Sequence, residues 1–141
     1  MAVALALVGC AKSPPEIVTV EGVVLVNGQP LPNATITFVP MIEGFGAEYI
    51  ATGASDEQGR FKVVCPGKNG CPAGENRVTV TNPGPPEGAR GQSDKAQAKA
   101  NAFYASLKNR PIPQRYTTVA STPLVVQVTA AQTEYRLELE R

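Results

Sequence analysis

The sequence predicts an all-β fold: a two-sheet β-sandwich of about seven short strands, with one short helix in an insert between strands. Three observations carry that prediction. Val20–Pro40 reads as two apolar runs around Asn27-Gly28, a pair whose backbone enters the left-handed geometry of a tight turn. Thirteen glycines and thirteen prolines punctuate the 141 residues into segments too short for long helices. The C-terminal stretch Leu124–Leu139 holds two clean period-two runs. This length suits one domain with a true core and is too short for two comfortable ones.

Taken in order, Ile17–Val26 is the first strand, and Val18, Val20, Val24 and Val26 share one face. Pro30 and Pro32 stiffen the path to Ala34–Val39, where Ala34, Ile36 and Phe38 share another face. Gly44 and Gly46 break any period in the loop 40–48. Tyr49–Ala54 reads as a short strand, closed by the Ser55–Gly59 turn. Arg60–Cys65 alternates, with Phe61, Val63 and Cys65 on one side, and Asn76–Asn82 is the next strand.

The composition changes over residues 83–115. NPGPPEGARG is neither strand nor helix interior, whereas Ser93–Lys108 contains no helix breaker. Ser93 is placed to cap, and Asp94 sits at the positive end of the helix. Ala96, Ala100, Phe103 and Leu107 follow a helical period, so a helix of about three turns is expected to lie on the sandwich by Phe103 and Leu107. Gln114–Thr118 reads as extended. The last two runs, Leu124–Thr129 and Tyr135–Leu139, are expected to form a terminal hairpin with one dry face and one wet face.

Net charge is +1 with no histidine and no tryptophan. Bulk electrostatics therefore predicts no nucleic-acid partner. The commonest general base and neutral metal ligand are missing, and so is the best stacking platform for sugars. No cofactor is expected. Residues 1–9, MAVALALVG, are too short to span a bilayer and read as the end of a secretory leader. Leu7-Val8-Gly9-Cys10 resembles the lipobox of bacterial lipoproteins. The resemblance implies cleavage before Cys10, a diacylglycerol on its thiol, fatty acylation such as palmitate on its amine, and a tether over 10–16. A location in the cell envelope follows, lipid-anchored to a membrane on its extracytoplasmic side.

GVVLVNGQPLPNATITFVP, then SDEQGRFKV, then the Gly74–Thr81 strand, together resemble the carboxypeptidase regulatory-like domain of the transthyretin-like, prealbumin-type sandwiches. With IPQRYTTVASTPLVVQVTAAQTEYRLEL at the end, the layout is similar to small lipoproteins of planctomycete-type bacteria that carry this domain alone. The likeness covers roughly Val20–Leu139, apart from the Cys65–Cys71 loop and much of the insert. It departs at Asn76, where the family commonly carries an aromatic. What it implies is a scaffold rather than an active site. Hydroxyisourate hydrolases of that superfamily need histidines and a C-terminal tetrapeptide with serine, both lacking here.

Individual candidates divide as follows. Cys65 and Cys71 flank PGKNG, and an oxidising compartment with cysteines at the ends of a Gly-Pro turn predicts a disulfide. Half a metal site is the rival reading, without a second ligand pair. Asp56 and Glu57 read as turn capping, with weak calcium binding the alternative. Ser55, Ser93 and Ser121 have no histidine beside them for a hydrolase triad. Between Arg90 and Arg115 stand Arg90, Lys95, Lys99, Lys108, Arg110 and Arg115 against Asp94 alone. This set is a candidate surface for anionic lipid, an anionic wall polymer or an acidic envelope protein, against the plainer reading of a solubilising helix face. The expectation is a non-enzymatic structural or protein-binding module. A carbohydrate- or wall-polymer-binding module is the alternative, marked by an exposed row of Tyr49, Tyr104 and Tyr116.

Overall fold

A computed structural model describes residues 14–44 and 46–141. The leader 1–9, Cys10 and the first part of the tether lie outside the described residues.

Strand formation follows the alternation of the sequence. After β1 (Ile17–Val18), β2 (Val20–Val26) buries Val20, Val24 and Val26. Asn27 and Gly28, at φ 49° and 81°, reverse it into β3 (Gln29–Pro30), as the Asn-Gly pair demands. Next, β4 (Thr35–Pro40) points Ile36 and Phe38 inward and leaves Thr35 and Thr37 half-buried. β5 (Ala51–Ala54) and β6 (Arg60–Val63) follow, separated by the Asp56 turn. β7 (Cys71–Pro72) pairs with β1, and β8 (Gly74–Thr81) is the longest strand. β9 (Val125–Val128) and β10 (Glu134–Leu139) end the order, and β10 alternates strictly with Tyr135, Leu137 and Leu139 buried.

Two sheets result. One runs β10–β2–β6 with β3 appended to β2; the other runs β5–β4–β8–β9. They join at one corner, where Thr52 and Val64 exchange two main-chain bonds of 3.1 Å. Gly53 makes that corner possible, since a Cβ there would stand 1.9 Å from the Lys62 carbonyl oxygen. The buried side chains of both sheets form one core, in which the Phe38 and Phe61 rings lie 6.3 Å apart, centre to centre. The predicted sandwich is therefore the fold.

The terminal hairpin is not. β9 pairs antiparallel with β8 in one sheet, while β10 pairs in parallel with β2 in the other. The chain crosses between sheets at 129–133. The Tyr135 hydroxyl holds that crossing by accepting from Thr129 N (3.1 Å) and donating to Gln132 O (2.9 Å). Both strands bury an alternating face, so a shared core is as good a destination as a shared hairpin.

The insert forms its helix, α1 (Asp94–Ser106), with the Ser93 hydroxyl accepting from Ala96 N at 3.1 Å. Ala96 is buried and Ala100 and Phe103 are half-buried, with buried Leu107 just past the end. Gln114–Tyr116 is a short 3-10 turn rather than an extended segment, with Tyr116 turned into the core.

The strand directions define two poles. Glu16 O accepts from Ala73 N at one pole, where β10 begins and β9 ends. The Asn27 turn, the C-terminal residues and both ends of the insert meet at the other.

Candidate functional site

The six basic residues singled out above differ in what holds them. Arg110 is a structural clamp. Its guanidinium donates to Asn82 Oδ1 (2.6 Å), Pro32 O (3.1 Å), Lys108 O (2.6 Å) and Asn33 O (2.9 Å). Burial lowers its pKa from the ordinary value, since the charged form gives up water for those acceptors. Arg115 lies 4.7 Å from the centre of the Tyr116 ring and donates to the Tyr116 hydroxyl and the Glu140 carbonyl. Lys108 pairs with Glu57 at 3.6 Å, and Arg90 donates to Pro85 O at 3.0 Å. Lys95 and Lys99 stand exposed, four residues apart on α1. Of the six, these two make no side-chain hydrogen bond or ion pair among the described residues.

Cys65 and Cys71 are free thiols in this structure, not the expected disulfide. Both are buried in the main core. The Cys71 thiol turns to Asn76 and donates to its Oδ1 at 3.6 Å. Asn76 Nδ2 in turn donates to Pro72 O (3.0 Å) and Gly74 O (3.1 Å), so a fully buried amide is satisfied. Burial, and then the neighbouring Cys65, push the Cys71 thiol up to about 12. Burial raises Cys65 as well, with Lys68 pulling the other way. Disulfide exchange requires a thiolate, and this pocket holds Cys71 as the neutral thiol.

Acids and serines also serve the fold. Asp56 Oδ1 accepts from Gln58 N and Arg60 N, both at 2.9 Å, as a turn-capping carboxylate does. The Ser55 hydroxyl donates to Leu31 O (2.6 Å) and accepts from Ala34 N (2.9 Å), fastening the 31–34 loop to the end of β5. Ser121 donates to Arg115 O at 2.9 Å. Among the described residues no three acids, cysteines or histidines gather as metal ligands.

The tyrosines do not form a row. Tyr49 lies beneath Lys68 (5.0 Å) beside the 65–71 loop, Tyr104 donates to Pro83 O within the insert, and Tyr116 is buried.

The outer face of β10–β2–β6 was not foreseen. Register places Lys62, Glu21 and Glu134 in one row and Arg60, Val23 and Arg136 in the next. Arg60 reaches Glu134 at 3.4 Å and Arg136 reaches Glu138 at 3.0 Å. Shallow grooves of ≈330 and ≈350 Å³ flank Arg60. They meet at Gly22, where a Cβ would stand 2.0 Å from the Tyr135 carbonyl oxygen. The alternating charges were visible in each strand, but the parallel pairing that aligns them was not. Both ion pairs are exposed and of small energetic worth, so this face is a solvated charge ladder. Comparison with known proteins gives no match: no family model, curated protein or solved structure is significantly similar to this chain.

Proposed function

We propose that this chain is a non-catalytic, lipid-anchored module of the cell envelope, a rigid carboxypeptidase regulatory-like sandwich that holds its insert away from the membrane for a structural or protein-binding role. The carrying observation is the placement of the two poles. The N-terminal segment joins the body where Glu16 bonds Ala73, and the insert caps the far end through Arg110 and Asn109. β8, which runs between the poles, spans about 26 Å at the usual rise of about 3.3 Å per residue. A lipid on Cys10 would thus hold one pole at the bilayer, with α1 pointing outward.

This arrangement favours an outward-facing partner over the anchoring membrane's own lipids for Lys95 and Lys99. No helix among the described residues is long and apolar enough to cross a membrane, so the anchor in this reading is the acyl chains on Cys10. The scattered tyrosines give the carbohydrate-binding alternative no platform.

Mass spectrometry of the protein recovered from its own cell membranes tests the reading. The N-terminal peptide is expected to begin at Cys10 and carry a lipid adduct. An intact Met1 on the membrane-derived protein would refute it.

A further inference from the structure

β10 and β9 are the outer edges of the two four-stranded sheets away from the Thr52–Val64 corner, and only one of them is guarded. β10 is one outer edge. Glu21 N bonds Thr133 O and Asn27 N bonds Leu139 O, so the odd residues of β10 face β2 and the even ones face outward. Those outward positions are Glu134, Arg136 and Glu138. Charged side chains there oppose a further strand. Gln132 Nε2 already donates to Glu134 O at 2.8 Å, and Glu140 N to the Tyr116 hydroxyl at 3.0 Å.

β9 is the other edge, and it is bare. Val78 N bonds Leu124 O, so the even residues of β9 face β8. The N–H and C=O groups of Val125 and Gln127 therefore point outward with no strand beside them. No charge stands in Leu124–Thr129. Val125, 50% exposed, is the most open of the large apolar side chains among the described residues. The edge also has defined ends. Pro123 has no N–H to offer, and Thr129 has spent its N–H on the Tyr135 hydroxyl and its carbonyl on Gln132 N.

We propose that β9 is a homodimer edge: two copies pair antiparallel through β9 about a two-fold axis at Val126. In that register Val125 of each copy faces Gln127 of the other, and the two pairs exchange four main-chain hydrogen bonds. Pro123 then faces Thr129, so the two positions without a free donor oppose each other. Val126 meets its own copy on the axis. Each β5–β4–β8–β9 sheet continues into the next as an eight-stranded sheet. A second copy is the occupant that these limits specify, because one short uncharged segment supplies every group that the same segment lacks. The pairing uses neither the insert nor Cys10 and stands independently of the anchor.

Sedimentation velocity of the full, unlipidated chain from about 10 µM to 1 mM covers the range expected for a small strand-edge interface of under about 1,200 Å². Dimer should grow with concentration, with hydrogen exchange slowing at the Val125 and Gln127 amides. Gln127→Pro removes two of the four bonds without touching the β8 ladder, and should weaken association about thirtyfold or more. Val125→Lys charges the edge and should also yield monomer, keeping the test should the proline disturb β9. A chain that stays monomeric throughout, or a dimer that both variants leave intact, would overturn the proposal.

Discussion

At the residue scale, the burial of Cys71 beside Cys65 decides how the core responds to pH. The folded thiol sits near 12, whereas the unfolded one titrates near its ordinary 9. Between those values the unfolded chain sheds a proton that the folded chain keeps. The stability contributed by Cys71 is therefore whole below about pH 9 and falls as pH rises towards 12. Melting curves should show this alkaline slope, and Cys71→Ala should flatten it while lowering stability at neutral pH by about 1–2 kcal/mol. Equal slopes for the two proteins would contradict the assignment. Alkylation of the chain denatured without reductant should label both Cys65 and Cys71. The sequence displays two cysteines across a turn. It hides Asn76, which competes for one of them from across the core. The ties of Arg110 and Arg115 were not legible for a related reason: a charge count registers cations but not the carbonyls that hold them. By contrast, the Asn27-Gly28 turn and the Ser93 cap depend on groups within four residues, and both were readable.

At the scale of elements, strands such as β4, β6 and β10 were legible because each buries alternate side chains, and their pairing was not. Period two says that Leu124–Thr129 and Tyr135–Leu139 each have a dry face; it does not say whether those faces belong to one sheet. Tyr135 settles the matter in three dimensions by pinning the crossing between sheets with two hydrogen bonds. Tyr135→Phe strips both and leaves the Thr129 N–H without that acceptor, a loss of about 1–2 kcal/mol. Chemical denaturation should read this as a lower midpoint at unchanged slope. Gly53→Ala should cost more, at least about 2 kcal/mol, because the Lys62 carbonyl in its way belongs to backbone that cannot swing aside. A tolerated alanine at 53 would mean that the corner between sheets is looser than its paired Thr52–Val64 bonds indicate.

Across the whole molecule, the insert is held differently from the sandwich. The strands share one continuous core, while α1 buries only Ala96 among its own residues. Beside the apolar contacts of Leu107 and Ile112, a ring of polar ties fastens the insert at its base. Arg110 grips the 32–33 turn and Asn82, Asn109 Nδ2 donates to Gln29 O and Pro30 O, and the Arg141 guanidinium bonds Asn109 Oδ1 at 2.7 Å. Polar ties at a surface open more readily than a packed core, so local unfolding should begin here. Amides of α1 are expected to exchange at least about 100-fold faster than those of β2, β4 and β8. Arg110→Ala should speed exchange across 83–113 further, while β2, β4 and β8 keep their protection. One common exchange rate for insert and sandwich, slowed or hastened together, would show that α1 belongs to the cooperative core and that its base is not the hinge.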